Sequence, residues 1–173
     1  MNFIKKFFVY LILSFLLLSL NLAVAAQDKT KIEILTGDLL TRITPSGFYF
    51  AGQSAQTQRR NSAAAKIGEN RYILAGLVDT SGYSAEISGK YEGYFITDSP
   101  IRIGDKELGA GAYGFGFSTT GNVNIFDLSG KEILSVKTTN DAEMKRPRPL
   151  MMSADAAGVR FYKGKSYVLI SAR

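Results

Sequence analysis

Two carboxylates suffice for glycoside hydrolysis when they face each other across a cleft about 5–10 Å wide. Asp79, Glu86, Glu92 and Asp98 lie near one another in the chain. Nothing in their spacing sets one opposite another, and ordinary surface acids explain them; a carboxylate-based hydrolase is the weakest of three functional readings. Ser88-Gly89-Lys90 and Ser129-Gly130-Lys131 each bring a hydroxyl near an amine. Both sit in turn-like surroundings, unlike the helical S-x-x-K of serine hydrolases. Asp127-Leu128-Ser129-Gly130 has too few oxygens at fixed offsets for an EF-hand loop. The chain has no histidine and no cysteine. That removes Ser-His-Asp and Cys-His chemistry, histidine metal sites, zinc–thiolate clusters and any disulfide-linked partner. The pattern calls for no catalytic residue, metal or cofactor.

Two stretches are better suited to binding than to catalysis. In Gly109-Ala110-Gly111-Ala112-Tyr113-Gly114-Phe115-Gly116-Phe117, a strand puts Tyr113, Phe115 and Phe117 on one face and Ala112, Gly114 and Gly116 on the other. Glycine weakens a strand unless something approaches that face closely, either another part of the chain or a ligand. The aromatic face fills a core or forms a stacking platform. Lys145-Arg146-Pro147-Arg148-Pro149 sets Lys145, Arg146 and Arg148 in a segment that its prolines stiffen and keep out of a central strand. An anionic surface is the partner such a cluster fits, and a solvated basic loop without a partner is the plainer reading. Asp141 and Glu143 offset part of the charge, and Arg59-Arg60 is a second, weaker basic spot.

The elements that position these residues are short and β-rich. Lys31–Leu35 reads as a strand, Gly37–Thr41 stays open, and Phe48-Tyr49-Phe50 is a short aromatic strand after the Pro45-Ser46-Gly47 turn. Gln53 to Asn61 is polar and reads as the main loop of the first half. Ser62 to Ile67 fits strand or helix, and Arg71–Val78 is an apolar run of buried-strand length. Tyr83, Ile87 and Tyr91 recur at four-residue intervals, which puts them on one face of a short helix near 83–91. From Gly93 onward, short strands alternate with glycine turns, the pattern of successive antiparallel hairpins. The gap from Thr138 to Pro149 alone is long enough for a crossover. The fold class is therefore mainly β, an antiparallel meander that closes into a barrel or a two-sheet sandwich, because a flat sheet leaves edges and an apolar face open.

The first 25 residues read as an address. Lys5 and Lys6 precede the apolar run Phe7 to Leu20, and Ala23-Val24-Ala25-Ala26 supplies the small residues of a cleavage site. That is the order of a secretory signal peptide, with 26–173 as a single domain and a periplasmic or extracellular destination. An uncleaved anchor is the rival reading, since Phe7 to Ala26 approaches the length of a membrane span. Without Lys5 and Lys6 the 21 basic side chains become 19, against 15 acidic ones. This mild excess is not the clustered stripe that nucleic acid requires. A chain of this size buries enough surface to fold without disulfide staples.

Lys106-Glu107-Leu108-Gly109-Ala110-Gly111-Ala112-Tyr113-Gly114-Phe115 resembles a hairpin of secreted bacterial β-domains, a short strand followed by Leu-x-x-Gly-x-Tyr. The wider run from Leu74 to Gly82, through Tyr91-Glu92-Gly93-Tyr94, to Gly114-Phe115-Gly116-Phe117 is similar to a set of uncharacterised exported bacterial proteins. The resemblance covers a third to a half of the chain. It implies a small, exported, mainly β domain and brings no activity or site residue. The first expectation is an exported, non-catalytic β-domain that binds or builds. The second is a small barrel whose interior, lined by Tyr94, Tyr113, Phe115, Phe117 and Phe126, holds an apolar ligand.

Overall fold

The structure, a computed structural model, describes residues 31–173; the expected signal segment and its cleavage site lie outside the described residues. The elements run β1 (Ile32–Leu35), α1 (Gly37–Ile43), β2 (Gly47–Phe50), β3 (Gln53–Ile67), β4 (Arg71–Val78), α2 (Ala85–Ser88) and β5 (Gly93–Thr97). Then come β6 (Ile101–Ile103), β7 (Lys106–Leu108), β8 (Gly111–Phe117), β9 (Asn122–Phe126), β10 (Glu132–Lys137), β11 (Thr139–Asn140), β12 (Arg148–Asp155), β13 (Gly158–Gly164) and β14 (Ser166–Ala172). Every pairing is antiparallel. The strands form two sheets. One has the order β1-β3-β4-β5-β8-β9-β10, with β2 on β3; the other has the order β12-β13-β14-β6-β7, with β11 on β14.

The meander is interrupted after β5. β5 pairs with β8 and not with β6. The β6–β7 hairpin leaves the first sheet and extends the second beside the C-terminal strand β14. The reason is burial: Ile101, Ile103 and Leu108 alternate inward on strands of three residues each, too short to cover the larger sheet alone. The chain leaves the first sheet after β10, pairs at once with β14 of the second sheet as β11, and then runs on to β12 of that sheet.

The larger sheet is buried on both faces. One face turns Ala63, Ala65, Ile73, Phe95, Phe115 and Ile125 toward Val159, Phe161, Val168 and Ile170 of the smaller sheet. The opposite face carries Ala64, Leu74, Tyr94 and Phe126 under a lid made from β2 and the β4–β5 connection, which supply Phe48, Phe50, Tyr83 and Tyr91. Double burial explains why Arg71–Val78 is a nearly continuous apolar run rather than an alternating one. The lid is aromatic: Phe50 stacks on Tyr91 with centroids 3.8 Å apart, and Phe48 on Tyr94 at 5.2 Å.

Three expectations need correction. Gln53 to Asn61 is not a loop but the first part of the fifteen-residue strand β3. Its inward positions are Ala55 and Thr57, too small and polar to register as a strand pattern. Between Thr57 and Ser62 it bulges, placing four residues opposite Leu77 alone. There are two helices among the described residues, not one: α1 forms from the stretch left open. The expected helix near 83–91 shrinks to the four residues of α2, capped where the Ile87 N–H donates to the Ser84 hydroxyl. Tyr83 and Tyr91 flank it, and both still face the lid core.

Candidate functional site

β8 has the two faces expected of it. Phe115 is fully buried and meets Phe161 edge-on at 5.2 Å. Phe117 is half-buried, with its ring 5.6 Å from Phe161. Tyr113 is also half-buried, and its hydroxyl donates to the Gly109 carbonyl at 3.0 Å. On the glycine face the chain itself makes the close approach. A Cβ on Gly114 would fall into the Phe50 ring, and one on Gly116 would fall onto the Lys90 carbonyl. The five aromatics proposed to line one interior are divided between the two faces: Tyr113, Phe115 and Phe117 belong to the core between the sheets, Tyr94 and Phe126 to the lid core.

Phe117 ends β8 at an open end of the two layers. Here Leu77, Phe117, Pro147, Arg148, Pro149 and Lys163 line a cleft of about 580 Å³. Ser118 and Thr119 of the β8–β9 turn, Thr138 after β10 and Ser166 of β14 also line it, with the Ser118 and Thr138 hydroxyls bonded to the Asn122 and Gly121 backbone. Phe117 from the glycine-rich strand and Arg148 from the basic segment, 31 positions later in the numbering, therefore share one wall. Tyr113, Phe115, Lys145 and Arg146 are not part of that wall. Lys145 and Arg146 are exposed just ahead of it. Pro147 and Pro149 keep this stretch at an edge: β12 is the terminal strand of its sheet, where a missing N–H breaks no central ladder.

Lys163 and Glu92 tie the sheets together at the mouth of the cleft. The Lys163 ammonium donates to the Glu92 carboxylate, whose other oxygen accepts the Phe117 N–H at 2.9 Å. Burial pushes the Lys163 pKa down, and the adjacent carboxylate pulls the other way. Sequence reasoning missed Lys163, because Lys163-Gly164 reads as turn chemistry. It weighed Glu92 only as one acid among four. The remaining acids of that group hold backbone or surface partners. Asp79 accepts from the Ser81 N–H, Glu86 pairs with Lys90, and Asp98 accepts from the Tyr72 N–H.

The basic segment keeps its charge. Asp141 accepts a hydrogen bond from the Tyr162 hydroxyl at 2.9 Å. Among the described residues no ion pair reaches Lys145, Arg146 or Arg148. A larger hollow of about 700 Å³ by the β3–β4 turn mixes Lys31, Lys66 and Arg71 with Glu33 and Glu69. Its charges alternate and it has no aromatic wall, so it lacks the one-sign character of the cleft. No group of three or more acidic side chains placed to hold a metal occurs among the described residues. Scans of protein-family profiles, curated proteins and solved structures give no match to this chain.

Proposed function

We propose that this chain is an exported, non-catalytic domain that works by binding, built as a two-sheet sandwich, with the Phe117–Arg148 cleft as its site. The observation that carries the reading is that an aromatic ring and an unpaired guanidinium, from the two stretches with the most unusual composition, line the same concavity. Such a wall fits a ligand that joins negative charge to an apolar face: the apolar part leaves water against Phe117, Leu77 and the proline rings, and the anion meets Arg148. The sandwich reading is supported by the core shared between the two sheets and by the open strand order of each. Export is supported by the signal-like first 25 residues; the mature protein is expected to begin at Ala26 or Gln27, which intact-mass spectrometry of protein from the natural host checks.

The binding reading is tested by titrating isotope-labelled protein with decanoate and with digalacturonate, and with decanol and cellobiose as their neutral counterparts. The expected result is that an anionic probe shifts the amides of Phe117, Arg148 and Gly164, that its neutral counterpart does not, and that Arg148→Ala weakens the response. Equal response to decanol and decanoate would favour the purely apolar ligand. No response at these amides to any of the four probes overturns the assignment.

A further inference from the structure

The cleft does not end at Arg148. Arg148 and Pro149 also line a second hollow, of about 150 Å³, which runs along the seam between the sheets. One wall of this hollow is β12, the other is β3 from Arg60 to Ala63, and Ile34, Leu35, Thr36 and Leu40 of the β1–α1 region close it. Arg60 of one basic spot of the sequence and Arg148 of the other are thus brought to one hollow by the tertiary fold. Arg59, Arg60, Lys145, Arg146 and Arg148 are exposed, and among the described residues none of them is in an ion pair.

The bulge is what delivers Arg60. Four residues of β3 stand opposite one of β4, and an extra length of strand re-aims its side chains. It is braced from within: the Gln58 amide donates to the Val78 carbonyl at 3.0 Å, and the Asn61 amide to the Gln58 side-chain oxygen at 2.9 Å. A regular strand would pair Arg59 and Arg60 into the ladder with β4 instead.

We propose that the cleft and the seam form one continuous groove for a linear anionic polysaccharide, with Arg148 at the junction and Arg60 on the far wall. This rests on the reading of the cleft as a ligand site and names its ligand. Three features select this partner. Arg60 and Arg148 stand on opposite walls of a concavity, where a chain lying in the groove meets both and a flat bilayer meets only the rim. The cleft sets the polar residues Thr119 and Ser166 close to Phe117, a combination that suits the hydroxyl rim and apolar face of a sugar. An acidic peptide would dock most readily as an added strand on an open sheet edge, but the outer edge of β12 already faces β1 and β3 across the seam.

The test measures affinity for galacturonate oligomers of two and six units at low and high salt, for wild type, Arg148→Ala, the double variant Arg59→Ala/Arg60→Ala, and Arg102→Ala as an exposed control on β6. Melting temperatures establish that each variant is folded. The hexamer is expected to bind wild type about tenfold or more tighter than the dimer, because it engages both ends of the groove. The double variant should lose that gain and leave dimer affinity unchanged. Arg148→Ala should weaken both ligands, and high salt should erode the hexamer advantage. Equal affinity for dimer and hexamer, or full hexamer affinity in the double variant, overturns the groove; the cleft reading survives if Arg148→Ala still weakens the dimer and falls if it does not. Tighter binding to phosphatidylglycerol vesicles or to poly-glutamate than to the hexamer, lost in the same variants, would assign the corner to a membrane or a peptide and overturn the polysaccharide.

Discussion

Truncating Phe115 tests the packing logic of β8 most directly. Its side chain has no exposure, and it meets Phe161 at 5.2 Å and Phe117 at 6.2 Å, both edge-on. Removing a buried phenylalanine to alanine costs about 3–5 kcal/mol, because the lost transfer energy is joined by the cost of the cavity left behind. Two edge-to-face contacts, each adding about 0.5–1.5 kcal/mol, place Phe115→Ala toward the upper end of that range. The glycine face does not allow relaxation from behind, since Phe50 and Lys90 already fill the space beyond Gly114 and Gly116. For a domain of about 150 residues, each kcal/mol moves Tm by about 4 °C, so a fall of about 15–20 °C is expected. Thermal melts followed by far-ultraviolet circular dichroism measure it. Phe115→Leu, which keeps most of the volume, provides a milder step that stays folded and should fall between the two. A Tm for Phe115→Ala within about 3 °C of wild type would refute the assignment of this face to the core.

Gly116→Ala should be more damaging than its single added methyl suggests, by about 2 kcal/mol or more, because the new Cβ meets the Lys90 backbone carbonyl, which cannot rotate away; urea unfolding checks this against Gly109→Ala, whose Cβ meets only the tip of Tyr113. Glu92→Ala should cost about 1–3 kcal/mol by leaving the Lys163 ammonium and the Phe117 N–H without their acceptor, and adding Lys163→Met should recover part of the loss, read as a non-additive double-mutant cycle. Acid should weaken the fold below about pH 4, the ordinary carboxylate range. The Ser129 hydroxyl and the Lys131 and Ser129 N–H groups hold the Asp127 carboxyl below its usual pKa, and the Ser81 N–H does the same for Asp79. A depressed folded pKa gives stability that is full above the unfolded value and fades as pH falls through the folded one. Tm measured from pH 7 to pH 2 should therefore drop at the acid end, less steeply in Asp127→Ala, and parallel curves for the two proteins would remove Asp127 from the account.

Local pattern was legible wherever one short stretch determines its own geometry. The two-faced β8 follows from the two-residue period of a strand alone. The lid helix near Tyr83–Tyr91 was legible in kind but not in length: Tyr91 closes the last turn through its N–H to the Ile87 carbonyl, whereas Tyr83 lies ahead of the Ser84 cap and is ordered by packing on the lid core. Gln53–Asn61 was misread because a strand whose inward side chains are alanine and threonine, under a close aromatic lid, shows no hydrophobic alternation.

Sequence alone determined a mainly β chain of hairpins, the absence of histidine and cysteine chemistry, and two stretches of unusual composition, one glycine-aromatic and one basic; each depends on residue identity or on spacing within a few positions. Only the tertiary structure decided how these parts meet. The departure of β6–β7 to the second sheet, the placing of Phe117 beside Arg148, and the meeting of Arg60 with Arg148 across the seam all join residues far apart in the chain. Such contacts form when burying apolar surface on two sheets at once outweighs the entropy of closing long loops. That balance is struck over the whole molecule, so no local window of the sequence contains it.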